Sequence, residues 1–237
     1  MEGSVLIVDI GNSQVKAAIF SDRGELKQRF LFLSPEELIG FDDMRIFYLD
    51  TRMDGSWRRV LAQQGAVELS VEKGFPFPSA YSQRLGADRA AQILAVRESG
   101  SWPAVVLSCG TACTIDYIDA QGYHRGGVIT AGIHLRLLAL AEKTGRLPRI
   151  EPRMKAPLLG TDTEEALLAG VVGGFQLEIS QWIRQLEMRG GSLRVWVTGG
   201  EADFIRSVLP SHSIFAPDLT LRGAWHWQQF LRSCGGN

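Results

Sequence analysis

The sequence lacks an excess of charge of either sign, because 25 lysines and arginines face 26 aspartates and glutamates among its 237 residues. Without a basic run, nucleic acid is not an expected partner. Its cysteines, Cys109, Cys113 and Cys234, are too few for a disulfide scaffold and lack the spacing of a zinc site. This composition favours a reducing cytoplasm. Apolar stretches such as 103–107 are too short to span a bilayer, and the first residues do not form a secretory signal.

Two common nucleotide-binding signatures are missing as well. The sequence has no Gly-x-x-x-x-Gly-Lys-Ser/Thr loop and no Gly-x-Gly-x-x-Gly after a strand. These absences argue against a P-loop or Rossmann enzyme.

A pattern of strand, glycine turn and strand occurs twice. Gly11 and Gly110, 99 residues apart, each follow an apolar run and precede another. This duplication predicts an α/β protein with two similar lobes, residues 1–103 and 104–237, and leaves open whether the last helix crosses back. Ligands favour a cleft such as two lobes form.

The first copy, Asp9 to Lys16, has the features of a phosphate site. A turn with Gly11 and Asn12 presents backbone N–H groups that attract phosphate oxygens. Asp9 could hold Mg²⁺ through water, and Lys16 could balance phosphate charge. The alternative is an ordinary hairpin turn, since Gly-Asn is common in turns.

The second copy follows the next apolar run. Gly110 and Thr111 could cradle a phosphate, and Asp116 is a further candidate near the metal. Each turn alone predicts little, but two turns related by duplication predict a paired phosphate site. Gly199 and Gly200 would let adenine or ribose approach the backbone, although generic strand-to-helix turns have the same sequence.

Gly86-Ala87-Asp88-Arg89 opens an amphipathic helix. Asp88 is either the N-cap of this helix or a base for an attacking hydroxyl. In the second interpretation, Arg89 is a bidentate clamp for a substrate carboxylate.

Together these motifs resemble type III pantothenate kinase, a family of the actin, sugar-kinase and heat-shock-chaperone ATPase superfamily. The resemblance covers the whole chain and implies two duplicated RNase H-like (actin-like ATPase) lobes with a central cleft. The matching motifs, in order, are Asp9 to Lys16, Gly86 to Arg89, Gly110 to Asp116, Gly126 to Gly132, Leu147-Pro148, Gly160 to Gly170, Thr198 to Gly200 and Leu219 to Leu221.

The resemblance implies phosphorylation of pantothenate by ATP and Mg²⁺, the first step toward coenzyme A, in a cytoplasmic homodimer whose substrate pocket lies at the subunit interface. It makes Asp88 the general base and Arg89 the ligand of the pantothenate carboxylate. Further residues implied at the pantothenate pocket are Tyr81, Gly86, Ala87 and Thr163. Those implied at ATP are Asp9, Ile10, Gly11, Asn12, Ser13, Gln14, Val15, Lys16, Gly110 and Thr111.

Two positions depart from the family pattern. Ser108 stands where the family has an aspartate ligand for potassium or ammonium, so dependence on a monovalent cation is in question. Ala131 replaces a proline, a change in local stiffness. Two other functions stay open: another small-molecule kinase of the same fold, and a catalytically silent regulatory relative.

Overall fold

The structure, a computed structural model, describes residues 3–52, 55–73 and 76–234. It forms two compact units, Met1–Ser101 with Asp218–Asn237, and Trp102–Pro217. The second unit therefore ends before the last helix, which crosses back to the first unit, a possibility that the predicted limits of 104–237 had left open. Each unit contains one five-stranded mixed sheet.

The first sheet has the strand order β3-β2-β1-β4-β5. Strands β1 to β3 form an antiparallel meander, whereas β4 and β5 run parallel to β1. Because β1 is central, its residues form a nearly continuous buried run. The strands are Val5–Ile10 (β1), Val15–Phe20 (β2), Leu26–Phe32 (β3), Arg45–Asp50 (β4) and Val67–Glu68 (β5).

The second sheet repeats this topology. Its order is β10-β9-β6-β7-β8, again with three antiparallel strands and two strands parallel to the first of them. The repeat confirms the predicted duplication and places Gly11 and Gly110 at equivalent points, each directly after the central strand. The strands are Ala104–Cys109 (β6), Ala112–Ile118 (β7), His124–Ala131 (β8), Arg194–Thr198 (β9) and Ile214–Phe215 (β10).

Helices connect the later strands of each unit. The α-helices are Gly55–Gln63 (α1), Ala87–Glu98 (α2), Ile133–Lys143 (α3), Thr163–Leu168 (α4), Gly174–Gly190 (α5) and Leu219–Ser233 (α6). A π-helical turn, Ala169–Gly173, joins α4 to α5, and 3₁₀ helices span Pro35–Phe41, Val71–Lys73 and Ala202–Val208.

Close backbone packing places α6 in the first unit. A Cβ atom added to Gly223 of α6 would lie 1.7 Å from the carbonyl oxygen of Ala91 in α2, so only glycine permits this crossing. Trp227 is fully buried farther along α6. Near the helix start, Asp218 accepts two hydrogen bonds from the Arg29 guanidinium of β3, at 2.7 and 2.5 Å. The glycine and the ion pair explain why the last helix joins the first unit.

Within the described residues, one helical segment of the second unit is long and apolar, although the apolar runs of the sequence are too short to predict a membrane span. Thr163–Gly190 has 28 residues, and its most apolar window has a mean hydropathy of 1.2, sufficient to cross a membrane by length and composition. Buried core helices of soluble proteins pass the same test. Val172, Phe175 and Ile179 of this segment lie in the hydrophobic core of the second unit. These contacts give the apolar residues of the segment a role in packing against β6, β7 and β9.

The predicted elements agree with the structure except in length. The sequence pattern of residues 66–71 predicts a strand, of which only Val67–Glu68 form one. The pattern of residues 163–186 predicts a helix, which the structure interrupts with the π-helical turn. Strand β10 is not predicted by the sequence, because two residues are too few to show an alternation of apolar and polar side chains.

Candidate active site

The first glycine turn, residues 11–14, closes the hairpin between β1 and β2. The Gly11 N–H donates to the Gln14 carbonyl at 3.1 Å, and Asp9 pairs with Lys16 across the hairpin. Asn12, Ser13 and Gln14 are exposed. Ile10 and Val15, in contrast, point into the core and are at most 2% exposed. Any contact of these two residues with a ligand would therefore involve the backbone.

Residues that follow β4, which no sequence motif predicts, support this turn. The Ile10 carbonyl accepts from both the Thr51 N–H and the Thr51 hydroxyl at 3.1 Å. The Arg52 guanidinium donates to the Asn12 carbonyl at 2.8 Å. Parallel strands end at the same edge of a sheet, so the end of β4, next to β1, was the signal that could have identified Thr51 and Arg52.

Electrostatics single out Asp9. Burial raises the pKa of its carboxyl from the ordinary 3.8 to about 7; the negative charge of Asp88 adds to the rise and Lys16 opposes it. The Asp9 carboxyl is therefore perturbed by its burial and by the negative charge of Asp88, and a perturbed pKa marks Asp9 as a candidate for a functional site.

Asp88 lies in the first turn of α2. The N-cap of this helix is Gly86, so the alternative interpretation of Asp88 as the N-cap is wrong. Its Oδ1 accepts from the Arg89 N–H at 2.8 Å. A Cβ atom on Gly86 would come within 2.7 Å of the same oxygen, so a larger residue at 86 would push the carboxylate from its present position.

Arg89 is buried, with 5% exposure, and its guanidinium packs on Tyr81. The guanidinium carbon lies 4.7 Å from the centre of the Tyr81 ring, and Nη1 donates to the Tyr81 hydroxyl at 3.2 Å. A buried, oriented guanidinium suits a planar anion such as a carboxylate. Asp9, Lys16, Asp88, Arg89 and Tyr81 all belong to the first unit. Their roles at a substrate site stay predictions.

The second glycine turn, Gly110 and Thr111, closes the hairpin between β6 and β7. The Gly110 N–H donates to the Ala112 carbonyl at 3.1 Å, and the Thr111 carbonyl accepts from the Gly132 N–H at 2.9 Å. A Cβ atom on Gly132 would lie 1.9 Å from the Gly110 carbonyl oxygen. The turn is therefore packed directly against the start of α3.

Gly199 packs against the residue that precedes this turn, Cys109. Its φ is +97°, and a Cβ atom there would lie 2.1 Å from the Cys109 carbonyl oxygen, so this position requires glycine. Cys109 and Cys113 oppose each other at the hairpin base, with their sulfur atoms 3.7 Å apart. The contact with Cys113 and then burial raise the pKa of the Cys109 thiol, which makes it a poor nucleophile.

A row of hydroxyl groups crosses the second sheet below this turn. Ser108 is in register with Thr114 on β7 and with Thr198 on β9, so the three side chains share one face. The row contains no carboxylate. The next polar position, Asp116, is 1% exposed and lies 2.8 Å from His124 Nε2. Asp116 therefore lies in the interior of the second unit, paired with His124. Its predicted place near a metal stays a prediction.

Thr163 is the first residue of α4 and is exposed. Its position is fixed by the N-cap Asp162, which accepts from the Glu165 N–H at 2.8 Å.

Within the described ranges, no cluster of three or more His, Cys, Asp or Glu residues could hold a metal ion. Mg²⁺ commonly takes only one or two carboxylates together with waters and phosphate oxygens, so a single carboxylate such as Asp9 is compatible with the predicted magnesium site.

Comparison with solved structures defines the class of protein. The chain matches a Campylobacter jejuni protein described as a candidate Baf family transcriptional activator, at 25% identity and a TM-score of 0.69, over 98% of this chain and 100% of the other. It also matches component A of (R)-2-hydroxyglutaryl-CoA dehydratase from Acidaminococcus fermentans, at 15% identity and a TM-score of 0.54, over 97% and 99% of the chains. The fold is that of the actin-like and sugar-kinase ATPases.

Sequence comparison identifies the family. The family model described as type III pantothenate kinase matches residues 52–185. Proteins of that name are 33% identical in Porphyromonas gingivalis and 34% identical in Phocaeicola vulgatus, over 92% of this chain and 95% of each relative. The chain belongs to the type III pantothenate kinase family. This finding confirms the resemblance that the motifs predicted.

Proposed function

We propose that this chain transfers the terminal phosphoryl group of ATP to the primary hydroxyl of pantothenate, the first step toward coenzyme A. The observation that carries the proposal is the grouping of Asp88, at the start of α2, with Asp9, at the end of β1. One carboxylate serves the acceptor and the other serves the nucleotide. Membership of the family supports the same assignment.

The glycine turns and Lys16 bind ATP in this proposal. Residues 11–14 and Gly110-Thr111 offer backbone N–H groups and hydroxyls, which are suited to phosphate oxygens. Lys16 supplies positive charge opposite Asp9. Mg²⁺, held by Asp9 through water, would neutralise charge on the phosphates. The raised pKa of Asp9 fits this role, because a nearby cation offsets first the cost of burying the Asp9 charge and then the repulsion from Asp88.

Asp88 orients the acceptor hydroxyl and takes its proton. A carboxylate is a weak base toward an alcohol. The proton therefore moves late, when the oxygen already bonds to phosphorus. Phosphoryl transfer depends mostly on alignment and charge neutralisation, so orientation is the larger part of what Asp88 contributes.

Arg89 selects an acidic acceptor. The guanidinium has five N–H donors in a fixed plane, and its contact with Tyr81 sets the direction of that plane. A pantothenate carboxylate would pair with it in a bidentate manner. The family resemblance assigns Gly86, Ala87 and Thr163 to pantothenate as well. Sugars lack the carboxylate, which disfavours a sugar kinase.

We expect little dependence on a monovalent cation. Potassium or ammonium would lie at Ser108, but the hydroxyl row of Ser108, Thr114 and Thr198 offers neutral oxygens only, and these bind cations more weakly than a carboxylate does. Turnover should be similar in potassium and in sodium buffers. A potassium requirement would show that neutral oxygens suffice for the cation.

We also propose a cytoplasmic homodimer. Large apolar side chains are exposed on the second unit, at fractions of 90% for Leu158, 82% for Leu159, 68% for Leu177 and 64% for Met188. Large apolar side chains with such exposure would be covered in an interface between two copies of the chain. Light scattering at micromolar concentration should give twice the chain mass, and Leu177→Asp should lower it. A monomer would contradict this proposal.

The experiment that tests the function is ADP release by the purified protein with pantothenate as acceptor, with and without potassium. Wild-type protein should release ADP only when pantothenate is present. A screen of sugars and hydroxy acids separates other kinases of this fold. The similarity to a candidate transcriptional activator makes a regulatory role the other outcome to test. Nucleotide binding with no ADP release under any condition would favour that role.

A further inference from the structure

Glu201 joins three backbone segments around the second glycine turn. It directly follows the turn of Gly199 and Gly200 at the end of β9. Its own N–H donates to the Cys109 carbonyl at 2.9 Å, and Cys109 immediately precedes Gly110. Its carboxylate reaches the start of α3, where Oε2 accepts from the Ile133 N–H at 2.7 Å and Oε1 from the His134 N–H at 3.1 Å.

The start of α3 is in turn bonded to the second glycine turn. The Gly132 N–H donates to the Thr111 carbonyl at 2.9 Å. A Cβ atom on Gly132 would lie 2.7 Å from Glu201 Oε2 as well as 1.9 Å from the Gly110 carbonyl oxygen. Because these contacts leave no free space, a shift of α3 must also shift Gly110 and Thr111.

The environment of the Glu201 carboxylate indicates a fixed position. The residue is 6% exposed, and a buried carboxylate is costly unless hydrogen bonds replace its water. Here the two N–H groups and the positive end of α3 replace it, together with His134 Nδ1 at 2.7 Å. No lysine or arginine of the described residues forms an ion pair with it. The carboxylate also occupies the N-terminus of α3, which leaves the glycine turn as the phosphate-binding element of this region.

We infer that Glu201 is a positioning residue for nucleotide binding, which holds the backbone of Gly110 and Thr111 in the shape that accepts the phosphates of ATP. The inference rests on the proposed function in one respect, the assignment of the second glycine turn to ATP. Glu201 acts through Cys109 and through the first turn of α3. It links the end of β9, where adenosine would approach, to the turn that holds the phosphates.

The test compares Glu201→Gln with a matched control, Glu178→Gln. The control removes another ion pair of α3, between Arg136 and Glu178, at a point without a contact to the glycine turn. Glu201→Gln keeps the size of the side chain but replaces one acceptor oxygen with a donor, which opposes either the Ile133 or the His134 N–H. ADP affinity is measured by calorimetry with Mg²⁺, the KM values for ATP and pantothenate by ADP release, and folding by thermal unfolding.

Glu201→Gln should weaken ADP binding and raise KM for ATP by about tenfold, which corresponds to about 1.4 kcal/mol. KM for pantothenate should change less than twofold. Glu178→Gln should leave all three constants within twofold of wild type. A residue that merely stabilises the second unit would lower the unfolding temperature without separating the two KM values.

Unchanged ADP affinity in folded Glu201→Gln would overturn the inference, and so would an equal rise in both KM values. Failure of the proposed function gives a different result. The wild-type protein would then bind ADP but would not produce ADP from ATP when pantothenate is present. The calorimetric comparison still decides the role of Glu201 in that case. Glu201→Ala should weaken ADP binding further, and if it does not fold, Glu201→Gln remains the deciding variant.

Discussion

Replacing Asp9 with asparagine should stabilise the protein free of divalent ions, and the gain should grow as pH rises. The physical reason is the pKa of Asp9, raised from 3.8 to about 7 by burial and by Asp88. A group with a raised folded-state pKa favours folding while it is protonated, and this contribution is lost as pH rises through the folded value. Asparagine resembles the protonated acid at every pH.

The magnitude follows from the linkage relation. One pKa unit corresponds to about 1.4 kcal/mol, so the change from 3.8 to about 7 sets an upper limit of about 4 kcal/mol across that range. Asp9 keeps partial access to solvent, and solvent screening lowers this figure. We therefore expect the stability difference between Asp9→Asn and wild type to increase by about 1–2 kcal/mol from pH 5 to pH 8.

The assay is urea unfolding in EDTA at several pH values, with the exposed Asp43→Asn as a control for loss of a carboxylate. Asp43→Asn should follow the wild-type curve. The Asp88→Asn background should reduce the pH dependence, because the Asp88 charge contributes to the raised pKa of Asp9. Parallel curves for Asp9→Asn and wild type between pH 5 and pH 8 would refute the electrostatic coupling.

Three further variants test the packing and the nucleotide site. Gly223→Ala should lower the free energy of unfolding in urea by several kcal/mol, because its Cβ would overlap the Ala91 backbone. The Cβ of the control Gly170→Ala meets nothing within 4 Å, so this variant should be as stable as wild type. Equal stability of the two variants would contradict this packing. His124→Ala leaves the buried Asp116 without its imidazole partner, so unfolding should require about 3 kcal/mol less; a loss under 1 kcal/mol would argue against a structural pair. Lys16→Met should raise KM for ATP about tenfold or more and leave KM for pantothenate unchanged, as steady-state kinetics will show; unchanged KM for ATP would remove Lys16 from the nucleotide site.

Much of the fold could be predicted because the duplication is written in local patterns. Apolar runs that end in Gly11 and Gly110 mark the central strand of each sheet, and both sheets have the same strand order. The last helix could not be assigned to a unit, because its place depends on the contact of Gly223 with Ala91. Such a contact, more than a hundred residues apart in sequence, leaves no periodic signal.

The site was predictable only in part for a similar reason. Asp88 and Arg89 stand in a recognisable motif at a helix start, whereas Arg52 follows a strand that has no motif of its own. Glu201 follows the turn of Gly199 and Gly200, and nothing in the sequence indicates that its side chain reaches α3. Long-range hydrogen bonds of this kind become visible only when the chain is folded.

The central claim is that Asp88 directs the hydroxyl of pantothenate at ATP, and ADP release by Asp88→Asn tests it most directly. We predict pantothenate-dependent ADP release by the wild-type protein and a loss of at least about a hundredfold in the variant. ADP affinity by calorimetry should stay within about threefold, or about 0.7 kcal/mol, of wild type. Turnover of Asp88→Asn at the wild-type rate, or wild-type ADP release that ignores pantothenate, would contradict the account.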